Sequence, residues 1–275
     1  MKNCKKHFLV ALVVLLCGQF LAPKAAQAQV IEVGGSVGLS YYMGDINPKK
    51  PFNSSELGWG ILARYYSNTR WALRLAYSNL QLNGSDAKSK YREERDLEFM
   101  TKAHDVALIA EFNFFEYFTG SKRNKLSPYI FGGLSVFGFN PKNADGVELC
   151  DKPSDTEEAD LTVEKDKYGK ISASIPFGMG VKYSLGNKIG VALEWRWDYT
   201  FTDWIDDCHA YYPQTGNDYS DPTSGHMFSG NKYVQRGNKE DNDWFGYLNV
   251  SIIYKFILPG ANDCKTEKRN AYNTY

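Results

Sequence analysis

Eight segments of the chain alternate between apolar residues and polar or small ones with a period of two, the pattern of a β-strand with one apolar face. The clearest is 189–201, where Trp195 and Trp197 lie on one face and Glu194 on the other. The other seven are 31–43, 57–65, 71–77, 104–114, 129–139, 171–185 and 244–256. Pro176 lies on the polar face of its segment and predicts a β-bulge there.

The connections between these segments alternate between long and short. They are 45–55, 67–70, 83–100, 119–125, 141–169, 185–188 and 204–242. Outer-membrane barrels have an even number of strands, short periplasmic turns and long extracellular loops, and each tilted strand needs about 9–11 residues to cross the bilayer. A soluble lipocalin-like barrel has no reason to segregate its loops in this way. The sequence therefore predicts an all-β fold, an eight-stranded antiparallel transmembrane barrel of the outer membrane.

The composition excludes two other classes of protein. The 32 Lys and Arg balance the 32 Asp and Glu, and the mean hydropathy is -0.45. A polytopic helical membrane protein and a strongly basic nucleic-acid-binding protein are therefore both excluded. No glycine-rich phosphate loop follows a strand and opens a helix, so we expect no nucleotide and no other cofactor.

The N-terminus has the features of a secretory signal peptide. Lys2, Lys5 and Lys6 precede an apolar run over 8–21, and residues 26–28 have the small-x-small form of a cleavage site. We expect cleavage near Ala28-Gln29 and a mature protein in the outer membrane.

This cleavage divides the chain into a signal peptide at 1–28, a barrel at 29–257 and a polar periplasmic tail at 258–275. Lipoprotein processing before Cys17 is an alternative, but Leu16 stands where that processing needs a small residue. Residues 1–28 hold four Lys and no acid, so their removal changes the net charge from +0 to 28 − 32 = −4.

The polar faces of the strands carry as many acids as bases. The acids are Glu32, Asp105, Glu111, Glu194 and Asp198, and the bases are Arg64, Arg74, Lys182, Arg196 and Lys255. An eight-stranded barrel is just wide enough for side chains to fill it, and buried charges are tolerated when they are paired. We expect these ten residues to face a closed interior, and the apolar faces to contact outer-membrane lipids.

Three cysteines remain after signal cleavage. Cys150 and Cys208 fall in long loops on the same side of the membrane, which makes them candidates for a disulfide. Cys264 lies in the tail on the opposite side, as a free thiol or as a link to a partner. No metal-ligand spacing occurs among the three.

One group of residues is a candidate for catalysis. His104 at the outer end of its strand, with Ser85, Ser89 and Glu94 before it, is the best candidate for a catalytic group, but no spacing joins a nucleophile to a base. We therefore predict no enzyme.

Metal sites have weak support as well. Adjacent residues on an extended chain point in opposite directions, so 206–209 (DDCH) predicts a solvated loop start and not a metal site. The charge run 88–95 likewise predicts a solvated loop. Weak Ca²⁺ binding in the loop 217–243 stays open.

Nine short segments together resemble the PorG family of outer-membrane barrels from the type IX secretion system. They are 41–48 (YYMGDINP), 70–74 (RWALR), 111–115 (EFNFF), 127–133 (SPYIFGG), 139–142 (FNPK), 174–178 (SIPFG), 201–207 (FTDWIDD), 235–238 (QRGN) and 242–244 (NDW). The resemblance implies a structural role, in which the barrel holds a periplasmic ring of the PorK lipoprotein and PorN against the outer membrane. It implies no catalytic residues.

The predicted periplasmic side is basic, although the mature chain is acidic. Its bases are Arg70, Lys122, Arg123, Lys125, Lys188, Lys265, Lys268 and Arg269. We expect this face to meet the ring, and the alternative is that basic turns lie near anionic headgroups. A different function, adhesion through the long extracellular loops, is the second hypothesis.

Overall fold

Eight long strands form a closed antiparallel barrel in the computed structural model, which describes residues 30–121, 124–149, 168–212, 214–215, 218–220, 227–229 and 235–257. The barrel strands are β1 (Val30–Met43), β2 (Glu56–Tyr66), β3 (Trp71–Ser85), β4 (Glu98–Asn113), β5 (Leu126–Gly138), β6 (Ile171–Ser184), β7 (Ile189–Thr200) and β11 (Trp244–Ile257). Sequential barrel strands are neighbours, and β1 closes the barrel by pairing with β11 from Val30 opposite Ile257 to Met43 opposite Trp244. The predicted fold class is confirmed.

Short elements lie in the loops at one end of the barrel. Helix α1 (Asp86–Ser89) and a 3₁₀ turn (Glu93–Arg95) follow β3, and a small sheet of β8 (Gln214–Thr215), β9 (Asp218–Ser220) and β10 (Met227–Ser229) precedes β11. No helix among the described residues is long and apolar enough to cross a membrane. The predicted signal peptide at 1–28 and tail at 258–275 lie outside the described residues.

The outer wall is apolar and exposed. Leu57 and Ile171 leave 71% and 74% of their surfaces accessible, and large apolar side chains of every barrel strand share this position. The opposite faces of the strands are buried and carry most of the charge. This distribution is the reverse of a soluble barrel and is that of a barrel surrounded by lipid.

Strands β3 and β4 are much longer than the alternation predicted, whereas the other barrel strands differ from the predicted bounds by one to three residues. In β3, Leu73 and Leu75 face outward, whereas beyond Ser78 it is Leu80 and Leu82 that are buried. The apolar residues change face because the strands leave the membrane there, so that water contacts the outer surface and loops fill the interior. The hairpin of β3 and β4 therefore continues to Ser85 and Glu98, beyond the predicted ends at 77 and 104.

The predicted bulge at Pro176 is wrong. Between β5 and β6, Gly132 pairs with Phe177 and Ser135 with Ser174, so two residues on each strand separate the pairs and none is extra. The ladder is only interrupted, because proline has no N–H to donate.

The long loops lie at one end of the barrel and the turns at the other, but one turn is not short. Residues 67–70 and 185–188 form tight turns, whereas residues 114–125 make a connection as long as the loops 44–55 and 86–97. The predicted turn 119–125 is therefore too short, and the strict alternation of long and short fails here. We call residues 114–125 the mouth turn.

Candidate functional site

The barrel interior holds nine of the ten predicted charges in buried positions. Six of them form one network near the turn end. Its ion pairs are Arg64 with Glu32 at 2.9 Å and Glu111 at 2.8 Å, Arg74 with Glu111 at 2.9 Å and Glu194 at 2.6 Å, and Lys182 with Glu111 at 2.5 Å. Three acids thus meet three bases, and Glu111 contacts all three cations.

A second network lies nearer the loops. Arg196 contacts Asp105 and Asp198 at 2.7 Å each, and the Ser174 hydroxyl donates to Asp198 at 3.0 Å. Between the networks is a cavity of about 20 Å³ beside Arg74 and Arg196, which is room for about one water molecule. The two charge networks thus occupy the interior on either side of this small cavity.

Lys255 is the tenth predicted interior charge and differs from the others. It is only partly buried, and its ammonium lies 5.2 Å from the centre of the Phe118 ring. It forms no ion pair with another residue that the structure describes. Its position opposite Glu32 in the β1–β11 ladder brings it to the turn end, where the mouth turn covers it.

The mouth turn closes this end of the barrel. The backbone N–H and hydroxyl of Thr119 both donate to the carboxylate of Glu32, at 3.1 Å and 2.5 Å, and Tyr117 is fully buried beside them. Gly120 has a φ of +96°, and a Cβ there would lie 2.4 Å from the carbonyl oxygen of Asn187. Tyr117 and Thr119 could not be identified from the sequence, because nothing in a turn sequence shows that the turn folds inward.

The opposite end is closed by the loop cap, which we define as residues 44–55, 86–97, 201–212 and 235–243. Apolar residues of the cap pack on apolar residues inside the outer ends of the strands. The cluster comprises Tyr42, Ile46, Leu80, Leu82, Leu97, Phe99, Ala103, Phe137, Phe139, Leu149, Ile205, Cys208, Phe245 and Tyr247. The cap is therefore an extension of the core.

Two arginines join the loops of the cap. Arg95 makes two hydrogen bonds to the carboxylate of Asp86, at 3.0 and 2.6 Å, and donates to the carbonyl oxygens of Arg236 at 2.5 Å and Asp45 at 3.0 Å. Arg236 in turn pairs with Asp207 at 3.3 Å. The prediction that 88–95 is a solvated charge run is wrong for Arg95, because its guanidinium is buried and makes four hydrogen bonds to residues of three loops.

A buried tyrosine and two aspartates lie at the centre of the cap. The Tyr42 hydroxyl is 2.5 Å from Asp206 and 2.7 Å from Asp243, and all three side chains are buried. A phenol has one hydrogen to donate, so one carboxyl must carry a proton and donate to the tyrosine oxygen. Burial raises the pKa of Asp206 to about 8 and holds the pKa of Asp243 well above its usual range.

The predicted solvated loop start at 206–209 is therefore wrong. Asp206, Asp207 and Cys208 are buried, and His209 pairs with Asp203 at 2.7 Å. Asp206 is bonded to the Tyr42 hydroxyl and Asp207 is paired with Arg236, so neither side chain is solvated. Within the described part of the chain, no group of three or more His, Cys, Asp or Glu side chains is arranged to hold a metal ion. Much of the loop 217–243, for which weak Ca²⁺ binding stays open, lies outside that part.

Cys208 and His104 are the disulfide and catalytic candidates that the structure describes. Cys208 is a buried free thiol whose pKa is raised by burial. Cys150 and Cys264 lie outside the described residues, so the structure does not show the predicted disulfide. His104 contacts the hydroxyl of Tyr77 at 2.9 Å on the outer wall. Ser89 is instead buried and bonded to the backbone of Asp86, so it is not a nucleophile for His104.

The predicted partner face is described in part. Arg70, Lys125 and Lys188 are exposed at the turn end. Lys122, Arg123, Lys265, Lys268 and Arg269 lie outside the described residues.

An apolar outer wall, an interior filled by paired charges and closed ends define a small transmembrane β-barrel of the outer-membrane type. The chain belongs to the family described as Domain of unknown function (DUF6089), which matches residues 6–267. No curated protein matches it significantly.

Several solved outer-membrane proteins are similar in structure. They include Ail of Yersinia pestis, solved with the heparin analogue sucrose octasulfate, at 10% identity and a TM-score of 0.42 over 84% of this chain and 100% of that chain. OprG from Pseudomonas aeruginosa is 12% identical with a TM-score of 0.43, covering 85% and 99%. OmpW of E. coli is 13% identical with a TM-score of 0.37, covering 85% and 100%.

Proposed function

We propose that the protein is a non-enzymatic barrel of the type IX secretion machinery, which anchors a periplasmic ring of PorK lipoprotein and PorN to the outer membrane. This role is the one that the resemblance to the PorG family implies. The observation that supports this proposal is the structure of the turn end, which is a rigid surface with exposed basic residues. We call this surface, formed by residues 67–70, 114–125 and 185–188, the platform.

The mouth turn joins the two tight turns into that platform. Its Tyr117 N–H donates to the Thr69 carbonyl at 3.0 Å, and its Gly120 N–H donates to the Ser184 hydroxyl at 2.8 Å. Thr119 fixes the same segment to the barrel interior through Glu32. A surface held from within and from both sides loses little entropy on binding, which suits a docking surface.

The charge of the platform supports an acidic partner. Arg70, Lys125 and Lys188 are exposed there, against one exposed acid among the described turn residues, Glu116. Such complementary charges steer association and fix orientation. The same bases would also suit anionic headgroups, so the test must separate a partner from the membrane.

The test is charge reversal at the platform, with Arg70→Glu, Lys125→Glu and Lys188→Glu combined, scored by delivery of type IX substrates to the cell surface. A matched variant reverses Lys88 and Lys102, which are exposed at the loop end. We expect the platform variant to block delivery at an unchanged barrel level and the matched variant to leave it intact. A fall in barrel level with normal delivery per barrel would instead indicate headgroup contacts.

Adhesion through the loops predicts the opposite pattern. Deletion of 221–226, the connection between β9 and β10, should leave secretion unchanged under the anchor proposal. Loss of cell adhesion in that deletion, with secretion intact in the platform variant, would replace the anchor by the adhesin.

A further inference from the structure

A cavity of about 1150 Å³ lies on the outer wall at the loop end, where strands meet the underside of the loop cap. Its wall is a continuous aromatic surface from β6, β7 and β11. The ring centres of Phe177 and Trp197 are 6.0 Å apart, those of Phe177 and Trp244 are 6.1 Å apart, and those of Tyr199 and Trp244 are 4.9 Å apart. This wall faces lipid.

Polar loop residues complete the cavity above the wall. Tyr91 and Arg92 come from the loop after β3, and Asn238, Glu240 and Asp241 come from the loop before β11. A site that is apolar on the wall and charged at the loops matches an amphiphile and does not match a soluble ligand.

Two cations flank Tyr91, a lining residue of the cavity: Arg92 lines the cavity as well, and Lys49 lies beside it. Arg92 lies 5.9 Å and Lys49 5.1 Å from the centre of the exposed Tyr91 ring. Neither forms an ion pair with another described residue. Arg95 in the same cavity differs, because its guanidinium is used by Asp86 and two carbonyls. Lys49 and Arg92 are thus available to an anionic group.

The cavity lining also carries unused negative charge. Glu240 and Asp241 are exposed, and Asp241 accepts only a surface hydrogen bond from the side chain of Asn238 at 2.8 Å. Asp45 is a third acid of the lining, but it already accepts the Asn238 N–H at 2.7 Å. The two exposed acids, together with Arg92 and the adjacent Lys49, complement a headgroup with both charges better than a simple anion.

We propose that this cavity binds one zwitterionic phospholipid, with its phosphate at Lys49 and Arg92, its ammonium at Glu240 and Asp241, and its chains along the aromatic wall. The volume suffices for a headgroup and the first part of two chains, since binding pockets for small molecules span about 300–1,000 Å³. The site would fix a lipid beside the closed barrel. It is independent of the proposed anchoring at the other end.

The test is native mass spectrometry of the full barrel in detergent with phosphatidylethanolamine, phosphatidylglycerol or diacylglycerol added. We expect one phosphatidylethanolamine to be retained, phosphatidylglycerol to be retained less and diacylglycerol not at all. Phosphoethanolamine without chains should not displace the lipid, because it lacks the aromatic contacts. Equal retention of the three lipids, or displacement by the free headgroup, would overturn the proposal.

Variants test where the lipid binds, and native mass spectrometry again measures how much lipid is retained. Lys49→Gln with Arg92→Gln should lower retention of phosphatidylethanolamine at least about tenfold, since bonds to charged groups are lost. Glu240→Gln with Asp241→Asn should lower it for phosphatidylethanolamine but not for phosphatidylglycerol. The control Lys88→Gln with Lys102→Gln removes two exposed cations outside the cavity and should change nothing. Unchanged retention in the Lys49 and Arg92 variant would contradict the assignment.

Discussion

At the scale of single residues, the Tyr42 hydroxyl joins β1 to two loops of the cap. Asp206 and Asp243 each accept a backbone N–H on their second oxygen, from Cys208 and Ile205 at 2.9 Å. Both carboxylates therefore have one oxygen committed to the backbone and one turned to the phenol. The arrangement needs a shared proton. Asp45 and Arg95 are the other charged side chains that act on the pKa of Asp206.

The shared proton makes the cap sensitive to pH. The pKa of Asp206 rises from the ordinary 3.8 to about 8 on burial, so between these values the folded cap holds a proton that the unfolded chain releases. Cap stability is then full below pH 3.8 and falls as pH rises toward 8. The protection factors of residues 201–212 against hydrogen exchange, corrected for the intrinsic pH dependence of exchange, should fall over this window, and constant protection factors would contradict the shared proton.

Asparagine variants test the same geometry. In Asp243→Asn the amide NH₂ donates to Tyr42 and the amide oxygen keeps the Ile205 N–H, so this variant should fold and lose the pH dependence. The double variant with Asp206→Asn gives the phenol two donors and no acceptor. We expect it to be less stable by about 1–3 kcal/mol, the cost of an unsatisfied buried group. A double variant as stable as the single ones would refute this hydrogen-bond assignment.

Glu111 is the hub of the interior charges. Glu111→Ala leaves Arg64, Arg74 and Lys182 with three positive charges and two acids, and should reduce the free energy of unfolding by about 3–5 kcal/mol. Urea unfolding in lipid vesicles measures this. The exposed Glu116→Ala is the control, with an expected change within about 0.5 kcal/mol. Equal effects would mean that the interior is hydrated.

At the scale of elements, the mouth turn fixes the platform. Gly120→Ala places a Cβ against Asn187 at a φ of +96°, which a side chain rarely adopts. Gly186→Ala in the neighbouring turn meets no atom within 4 Å and is the matched control. Trypsin should cut the first variant after Lys122 or Arg123 faster than the wild type and leave the control unchanged. Equal rates would show that the turn is not held through Gly120.

The strands were predictable because lipid imposes one alternation on each of them. The prediction stopped early in β3, where Leu80 and Leu82 turn inward as the strand leaves the membrane. The cap was not predictable, because its contacts join loops that are far apart in the chain, and Asp86, Arg95, Arg236 and Asp243 each look like ordinary loop residues in the sequence. Interior charges were identifiable by strand parity, but parity cannot show that Lys255 lies at the rim.

At the scale of the whole molecule, the barrel is closed along its length. The loop cap fills one end, two charge networks fill the middle and the mouth turn covers the other end. We expect no stable channels when the protein is inserted in planar bilayers, at neutral pH and moderate salt. Large, long-lived conductance steps would contradict the closed interior.

A closed barrel with a rigid basic platform has the properties of an anchor. The most direct test of this account is to identify the proteins that bind to it. The full protein would be isolated from outer membranes in mild detergent, and the co-purifying proteins identified and quantified. The account predicts a stoichiometric complex with a periplasmic lipoprotein ring, which is weakened by reversal of Arg70, Lys125 and Lys188. Recovery of a lone barrel, in the wild type as in the variant, would contradict it.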